Sequence, residues 1–346
     1  MTASTPVNEA EWTKLNDHLR VHYTRPHLLV TNRGPREEGY TYCTTCGLIE
    51  ATALPKGNVG TAHRKPFPDP RDADCAGGGA TKGLVLGTDF ITDVLLVSIG
   101  VESPITLRPN LLATDVALRT ICEALTKAAC TRLELEANEL QAEYRPALTQ
   151  AGRDGLEAEI YVYDTLPGGA GFAQRVGRLG IDVFQDALQI LENCPDNCDR
   201  SCYRCLRSYK NKFEHDLLDR HLGASLLRFL LAGTAPALDA ARLERSTELL
   251  FQDLDRHALE GVQLERNKTI SVPGLGSVVV PILATTTAGA RLVIGLHGPL
   301  TPGEAPDAGL ADLKEFAAAL PVVLVDELVV SRNLPSATAD LIARLG

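Results

Sequence analysis

Residues 194–213 read CPDNCDRSCYRCLRSYKNKF, and the four cysteines in this run, Cys194, Cys198, Cys202 and Cys205, decide how the rest of the chain is read. Zinc takes four soft ligands at tetrahedral angles. Four thiols within twelve residues, interrupted by Pro195, Asn197 and Asp199, let a turning backbone deliver them to one point. Such a site contributes on the order of 10–16 kcal/mol of folding free energy, as much as the whole net stability of a typical domain. The spacing therefore predicts a structural metal. A closed shell of four cysteines has no open position, so the metal is not expected to be catalytic. Unliganded thiols, or a redox pair at Cys202-x2-Cys205, are the alternatives.

The same loop carries Arg200, Arg204, Arg207, Lys210 and Lys212, interleaved with Tyr203, Tyr209 and Phe213, and no acidic residue falls between Arg200 and Phe213. In a chain of formal charge −10 this is the place where the local field is positive. Cations beside planar rings can grip a phosphate backbone and stack bases. The strip is a candidate nucleic-acid contact. It also has two plainer uses: a solvated face whose arginines pair with Asp199, Glu214 or Asp216, or a charge balance for the thiolates.

Working outward, residues 159–164 read as a strand that runs into Pro167-Gly-Gly-Ala-Gly171 and then a helix over about 172–193, with Val176, Leu179, Val183, Ala187 and Ile190 inward. The glycine turn can cradle an anion. It lacks the Gly-Lys-Ser/Thr ending of a P-loop, and tight strand-to-helix packing explains it equally well. Upstream, Phe90, Ile91, Val94 to Val97, Ile99 and Val101 predict one buried strand. A helix follows, capped by Thr114 or Asp115, with Val116, Ile121, Ala124, Leu125, Ala128 and Ala129 on one face. Cys122 and Cys130 in that helix read as small core residues. Residues 1–86 are rich in turn-formers, above all from Lys56 to Gly83, and contain Cys43-x2-Cys46-Gly47. His63 and Cys75 are the best remaining ligands for a zinc ion there; a loop with two free thiols is the alternative.

Beyond the cysteine cluster the pattern gives a helix over 216–231 and a linker over 233–238. A further helix then leads to strands near 268–272, 278–284, 291–297 and 322–330, and a closing helix starts at Ser336. The expected architecture is α/β (α+β) in three modules: a zinc-ribbon-like module over 1–86, an α/β zinc domain over 87–233 and a small α/β unit over 239–346.

With 45% hydrophobic residues the chain reads as globular. No stretch approaches the roughly 18 apolar residues of a membrane span, and residues 1–30 resemble neither a signal peptide nor an anchor. Nine cysteines, an odd number, point to a reducing compartment, with the cytoplasm as the expected address. The acidic balance requires any nucleic-acid contact to be local or lent by a partner. There is no Walker A motif, no helicase-like continuation of Asp326-Glu327, no Gly-x-Ser-x-Gly and no His-Glu-x-x-His, so this sequence by itself is not expected to hydrolyse ATP.

The run YDTLPGGAGF at 163–172, the four cysteines with the CLRSYKN that starts at Cys205, and Leu218-Asp219-Arg220 resemble the zinc-binding domain called MZB, formerly DUF1998. GTDFITDVL at 87–95 resembles the entry strand of that family, and Cys43-x2-Cys46-Gly47 resembles a zinc-ribbon-like segment that often precedes it. The likeness covers about residues 40–231. The family occurs at the C-terminus of superfamily 2 DNA helicases resembling MrfA and in DrmB, a helicase-associated component of the DISARM anti-phage system. The resemblance thus implies structural zinc at Cys194, Cys198, Cys202 and Cys205 and work on DNA in repair or defence. Because no helicase motor is present in this sequence, it implies a non-catalytic accessory role beside a helicase subunit. Two other readings stand beside it. Residues 239–346 could form a metal-dependent nuclease drawing on Glu265, Lys268, His297, Asp326 and Glu327, or the whole chain could be a scaffold that touches only protein.

Overall fold

Strands that are apolar on both faces need cover on both faces, and the fold is organised around two of them. The computed structural model describes residues 11–34, 36, 38–53, 59–71, 73–109, 111–146, 155–257, 260–316 and 320–345. Residues 1–10, and residues 54–58 of the turn-rich stretch, lie outside the described residues.

In chain order the first strands are Thr13–Lys14 (β1), Leu19–Thr24 (β2), His27–Asn32 (β3), Tyr40–Cys43 (β4), Ile49–Ala51 (β5), Ala80–Leu84 (β6), Leu86–Ile91 (β7) and Val94–Gly100 (β8). Then come Leu112–Leu133 (α1), Leu140–Pro146 (β9), Glu157–Asp164 (β10), Phe172–Leu179 (α2), Asp182–Glu192 (α3) and Arg220–Ala232 (α4). The remainder holds Ala240–Arg256 (α5), Val262–Val272 (β11), Gly276–Thr286 (β12), Arg291–His297 (β13), Ala308–Phe316 (α6), Val322–Asp326 (β14), Glu327–Arg332 (α7) and Leu334–Leu345 (α8).

A five-stranded sheet runs β1-β2-β8-β10-β9, so the two most apolar strands lie at its centre. Their side chains alternate between two cores, as the two-residue period of a strand demands. Leu95, Val97 and Ile99 of β8, with Ala158, Ile160 and Val162 of β10, face the helical core built on α1, α3 and α4. Val94, Leu96, Tyr161 and Tyr163 face a second, smaller core closed by Leu28, Val30 and Phe90. The sheet includes β2 from the N-terminal part of the chain, paired antiparallel with β8.

The one strand expected across Phe90 to Val101 is two strands in two sheets. The hinge is Thr92-Asp93: Thr92 Oγ1 donates to Asp164 O at 2.8 Å, and the N–H of Asp164 donates to Asp93 O at 3.1 Å. These bonds fix the chain on β10 and turn β7 away to pair with β3. The expected helix cap also moves. Leu111 is the N-cap of α1 and makes no side-chain cap bond, while Thr114 and Asp115 lie in the first turn. Cys122 and Cys130 are buried core residues as expected.

The helix expected over 172–193 is broken into α2 and α3 at Gly180, whose φ of 58° and ψ of −128° no helix accommodates. In the last part of the chain β11, β12 and β13 are antiparallel neighbours and β14 is parallel to β13. A parallel pair needs a crossover, and α6, absent from the sequence reading, supplies it with Leu310 and Leu313 buried. The strand expected over 322–330 ends at Asp326, whose carboxylate accepts the N–H of Leu328 at 2.9 Å and caps α7. The closing helix starts at Leu334, two residues ahead of Ser336.

This last unit is docked on the zinc-bearing part. Leu300 and Leu328 are buried in the main core, Arg332 Nη2 meets Asp219 Oδ2 at 3.3 Å, and Arg332 Nη1 donates to Asp216 O. Among the described residues no helix is long and apolar enough to cross a membrane. Truncating the Leu328 side chain, which is fully buried, opens a cavity at this junction. Leu328→Ala is expected to cost about 2–5 kcal/mol in urea unfolding, whereas Val279→Ala, on an exposed face, should stay within about 0.5 kcal/mol.

Candidate metal centres and the surface beside them

The chain leaves α3 at Asn193 and winds through the four cysteines without regular structure. Their Sγ atoms converge: Cys194 lies 3.6 Å from Cys198 and 3.5 Å from Cys202, and Cys205 lies 3.6 Å from Cys198 and 3.7 Å from Cys202. A tetrahedron with Zn–S bonds of ~2.3 Å has edges of ~3.8 Å, so the four sulfurs stand where one zinc ion would hold them. Burial raises the Cys194 thiol, but backbone N–H groups of Cys198 and Asp196 outweigh it and hold it at about 6. Burial and then the neighbouring sulfurs push Cys198 well up. Four thiols this close do not all ionise unaided; Zn²⁺ supplies the positive charge that draws off the remaining protons.

Three side chains outside the cysteines lash the loop to the helices. Arg220 at the start of α4 is buried, and its guanidinium donates to Cys198 O (2.7 Å), Leu191 O (3.1 Å), Glu192 O (3.2 Å) and Asn197 Oδ1 (3.0 Å). Lys127 on α1 donates to Arg204 O at 2.7 Å and Cys205 O at 2.6 Å. Buried Asn211 donates to Leu206 O at 3.0 Å and Glu123 Oε2 at 2.9 Å. Composition carries no sign of these roles. Asn211 and Arg220 are legible only as the last residues of the two motifs, Cys205 to Asn211 and Leu218 to Arg220, on which the family resemblance rests.

The second cluster gathers residues from 33 positions of sequence. Cys43 ends β4, and Gly47 turns the chain back under it at φ +78°, its N–H bonded to Cys43 O at 2.8 Å. His63 and Cys75 are joined by a reciprocal backbone pair at 3.0 and 2.8 Å. Cys43 Sγ stands 3.8 Å from Cys75 Sγ, and Cys46 Sγ stands 3.1 Å from His63 Nε2. The other ring nitrogen, Nδ1, donates to Thr61 O at 2.7 Å, leaving Nε2 free to ligate. The N–H of Cys46 is the main influence holding the Cys43 thiol at about 6. Each of the two sets offers four donors within 4.8 Å of one another, and both suit zinc; among the described residues they are the groupings of this kind. Of the residues considered for a nuclease, Glu265 and Lys268 pair with each other on β11, whereas His297 and Asp326 are register partners on β13 and β14 and the adjoining Glu327 is buried against Arg242 and Ser246.

The glycine turn has no room for a phosphate, because its own carboxylates occupy it. Asp164 accepts the N–H groups of Ala170 (2.7 Å), Phe172 (3.0 Å) and Ala173 (2.7 Å), and Asp93 accepts that of Gly171 at 2.8 Å. A Cβ on Gly169 would stand 2.2 Å from Asp93 Oδ2. Of the two sequence readings, packing is the one this geometry supports.

On the strip beside the first cluster, Tyr203, Tyr209 and Phe213 are 67%, 78% and 90% exposed. Lys212 Nζ lies 4.1 Å from the Tyr209 ring centre and 5.0 Å from that of Phe213. Arg204 and Lys210 are exposed. Arg207 is half-buried and donates to Ser201 Oγ at 2.9 Å. Arg200 turns toward the last unit, donating to Ser331 O at 3.2 Å with Asp199 at 3.8 Å. Glu214 pairs with Arg119 at 3.3 Å rather than with the strip.

Residues 121–206 match the family model of MZB, the MrfA Zn-binding domain. The chain is 34% identical over 248 residues to the Druantia protein DruE of Escherichia coli (strain UMEA 4076-1), an alignment that covers 67% of this chain and 13% of that protein. A solved structure, the crystal structure of DUF1998 helicase MrfA bound to DNA, aligns with a TM-score of 0.36 and 18% identity over 63% of this chain and 23% of the other. The chain thus spans only a small part of the length of these relatives.

Metal analysis of the purified chain is expected to give two zinc ions per molecule, falling to one in Cys198→Ser and in His63→Ala. Chelation should unfold the cysteine loop first, read as loss of protection of its amides from exchange. Arg220→Met, which leaves the loop carbonyls without their donor, should cost about 3 kcal/mol or more and weaken zinc retention at Cys194, Cys198, Cys202 and Cys205 while sparing the other site.

Proposed function

This chain carries an MZB zinc-binding domain at residues 121–206, and from that premise we propose that it is a non-catalytic part of a DNA helicase assembly that engages DNA through the surface beside the first zinc site, in anti-phage defence. The carrying observation is the set of three exposed rings on the cysteine loop. Large apolar side chains left in water on a structured surface mark a binding site, and each ring can stack one base for about 1–3 kcal/mol. Arg204 and Lys210 flank the rings for the phosphates, and the Lys212 ammonium lies over both the Tyr209 and the Phe213 ring. The remainder of an acidic protein repels the same strand, so contact is favoured where cations are concentrated, as they are on this strip.

The helicase motor lies outside this sequence, either on a longer chain or on a partner. The likeness to the much longer Druantia protein DruE supports an assembly in which the MZB part is one element among several. In this reading the role of zinc is mechanical, since it fixes Cys198, Cys202 and Cys205, and with them the backbone from which the rings and cations project.

Fluorescence anisotropy with a labelled single-stranded oligonucleotide tests this. Tyr209→Ala with Phe213→Ala should weaken binding by roughly 10- to 100-fold. Arg204→Ala with Lys210→Ala should flatten the salt dependence by about 1.4 in log–log slope, two phosphate contacts' worth for a single strand. Binding left unchanged by both pairs would mean that the strip faces solvent or protein.

A further inference from the structure

A second group of arginines lies beyond the zinc loop, where the last unit docks. A cleft of about 430 Å³ opens between α4 and the N-terminal half of α5, with Arg228, Arg242, Arg245, His221 and Ser225 in its walls and Gly298 at its floor. Asp199 of the zinc loop forms one rim. The cleft therefore adjoins the carboxyl end of β13, the strand with a parallel neighbour, where open α/β sheets present their crevices. Its volume falls within the range of small-ligand sites.

The three guanidinium groups are set up differently. Arg242 is gripped by the buried Glu327 carboxylate, Nε to Oε1 and Nη2 to Oε2 both at 2.8 Å, with Ser246 Oγ donating to the same carboxylate at 2.8 Å. The Nε hydrogen bond and the close Nη2 contact orient the guanidinium, and among the described residues Nη1 has no hydrogen-bond partner. Arg228 is tied at Nε to Glu192 at 2.6 Å, and among the described residues its outer nitrogens make no hydrogen bond. Arg245 is exposed and, among the described residues, pairs with no acid. Of the acids at the rim, Asp239 caps α5 through the N–H of Arg242 at 2.8 Å, while Asp199 is exposed, with Arg200 3.8 Å away. Three arginines line one cleft, one of them oriented by a buried carboxylate, and planar guanidinium donors match the oxygens of a phosphate group.

We propose that this cleft is a phosphate-binding site that receives one nucleotide unit, with Arg245 and Arg228 as contacting residues and Arg242, held by Glu327, as the fixed donor. The site does not depend on the exposed rings of the zinc loop. A nucleotide of a bound strand and a free nucleotide present the same phosphate group.

The test uses the zinc-loaded full chain with three probes: dT15, dTMP and inorganic phosphate. Arg245→Glu and Arg228→Gln alter outer side chains only, so thermal midpoints should match the unsubstituted protein, and Arg245→Lys serves as the charge-preserving control. Arg245→Glu is expected to lower dT15 affinity about tenfold, with Arg245→Lys retaining most of it. Loss of dTMP or phosphate binding in Arg245→Glu, when dT15 is not bound by any variant, supports the cleft as a free-nucleotide site and sinks only the reading of the rings. Weakening of dT15 without measurable dTMP or phosphate binding supports the strand as the source. The proposal is overturned if all three probes bind Arg245→Glu and Arg228→Gln as they bind the unsubstituted chain, or if none of them binds the unsubstituted chain at all.

Discussion

Convergence of four sulfur atoms within 3.7 Å of their neighbours is the constraint on which the rest of the surface depends. The residues between α3 and α4 form a connection more than twenty residues long with one short 3-10 turn. Connections of that length inside a compact domain need their own source of order. Few apolar groups are available to provide it: Cys205, Leu206 and Leu218 reach the core, while the rings of Tyr203, Tyr209 and Phe213 stay outside. Metal coordination and the carbonyls taken by Arg220 and Lys127 replace the missing burial. An arginine is tolerated inside the protein at position 220 because its guanidinium finds four acceptors and lies beside a site of net negative charge.

The same logic extends back along the chain. Asp164 ends β10 and Asp93 immediately precedes β8, and together they take four N–H groups of the glycine turn and the start of α2. This anchors α2 to the sheet, α3 follows after Gly180, and the cysteine loop starts where α3 stops. The position of the metal relative to the main core thus depends on two carboxylates that lie upstream of it in the chain. A carboxylate at a helix N-terminus is stabilised by the peptide dipoles, and here it fills the place that a bound phosphate takes in other strand-turn-helix units. The resemblance of this turn to a nucleotide loop ends at that substitution.

Much of this was legible beforehand because the signals were local. Cysteine spacing and the apolar patterns of β8, β10 and α1 are read within short windows of sequence. What stayed hidden was non-local. The break at Thr92-Asp93 leaves no turn signal, since the chain changes sheet through bonds to Asp164 and not through a glycine or proline. The strand β9 carries Gln141, Glu143 and Arg145 at alternate positions, a pattern as suited to a loop as to the outer strand of a sheet. Leu328 to Val330 look like strand because β-branched residues prefer it, but Asp326 caps a helix just ahead of them. Cys43 and Cys46 announce themselves as a pair and His63 and Cys75 stand out by residue type, but the backbone bridge that joins these last two is encoded by no spacing.

Electrostatics ties the two surfaces together. A protein ten charges negative disfavours a polyanion everywhere except where cations are concentrated and acids are occupied. The zinc loop meets this condition on one side through its run without acids. At the junction it is met differently, by acids that are present but committed: Glu327 to Arg242, Glu192 to Arg228, Asp239 to the first turn of α5. Pairing of that kind costs attraction at long range but fixes donor geometry at short range, so the loop strip is suited to capture and the junction to placement. The last unit therefore contributes more than cover for the main core: by docking through Leu300, Leu328 and Arg332 it builds one wall of a site whose opposite wall is the zinc-bearing part, and loss of the metal would disturb both.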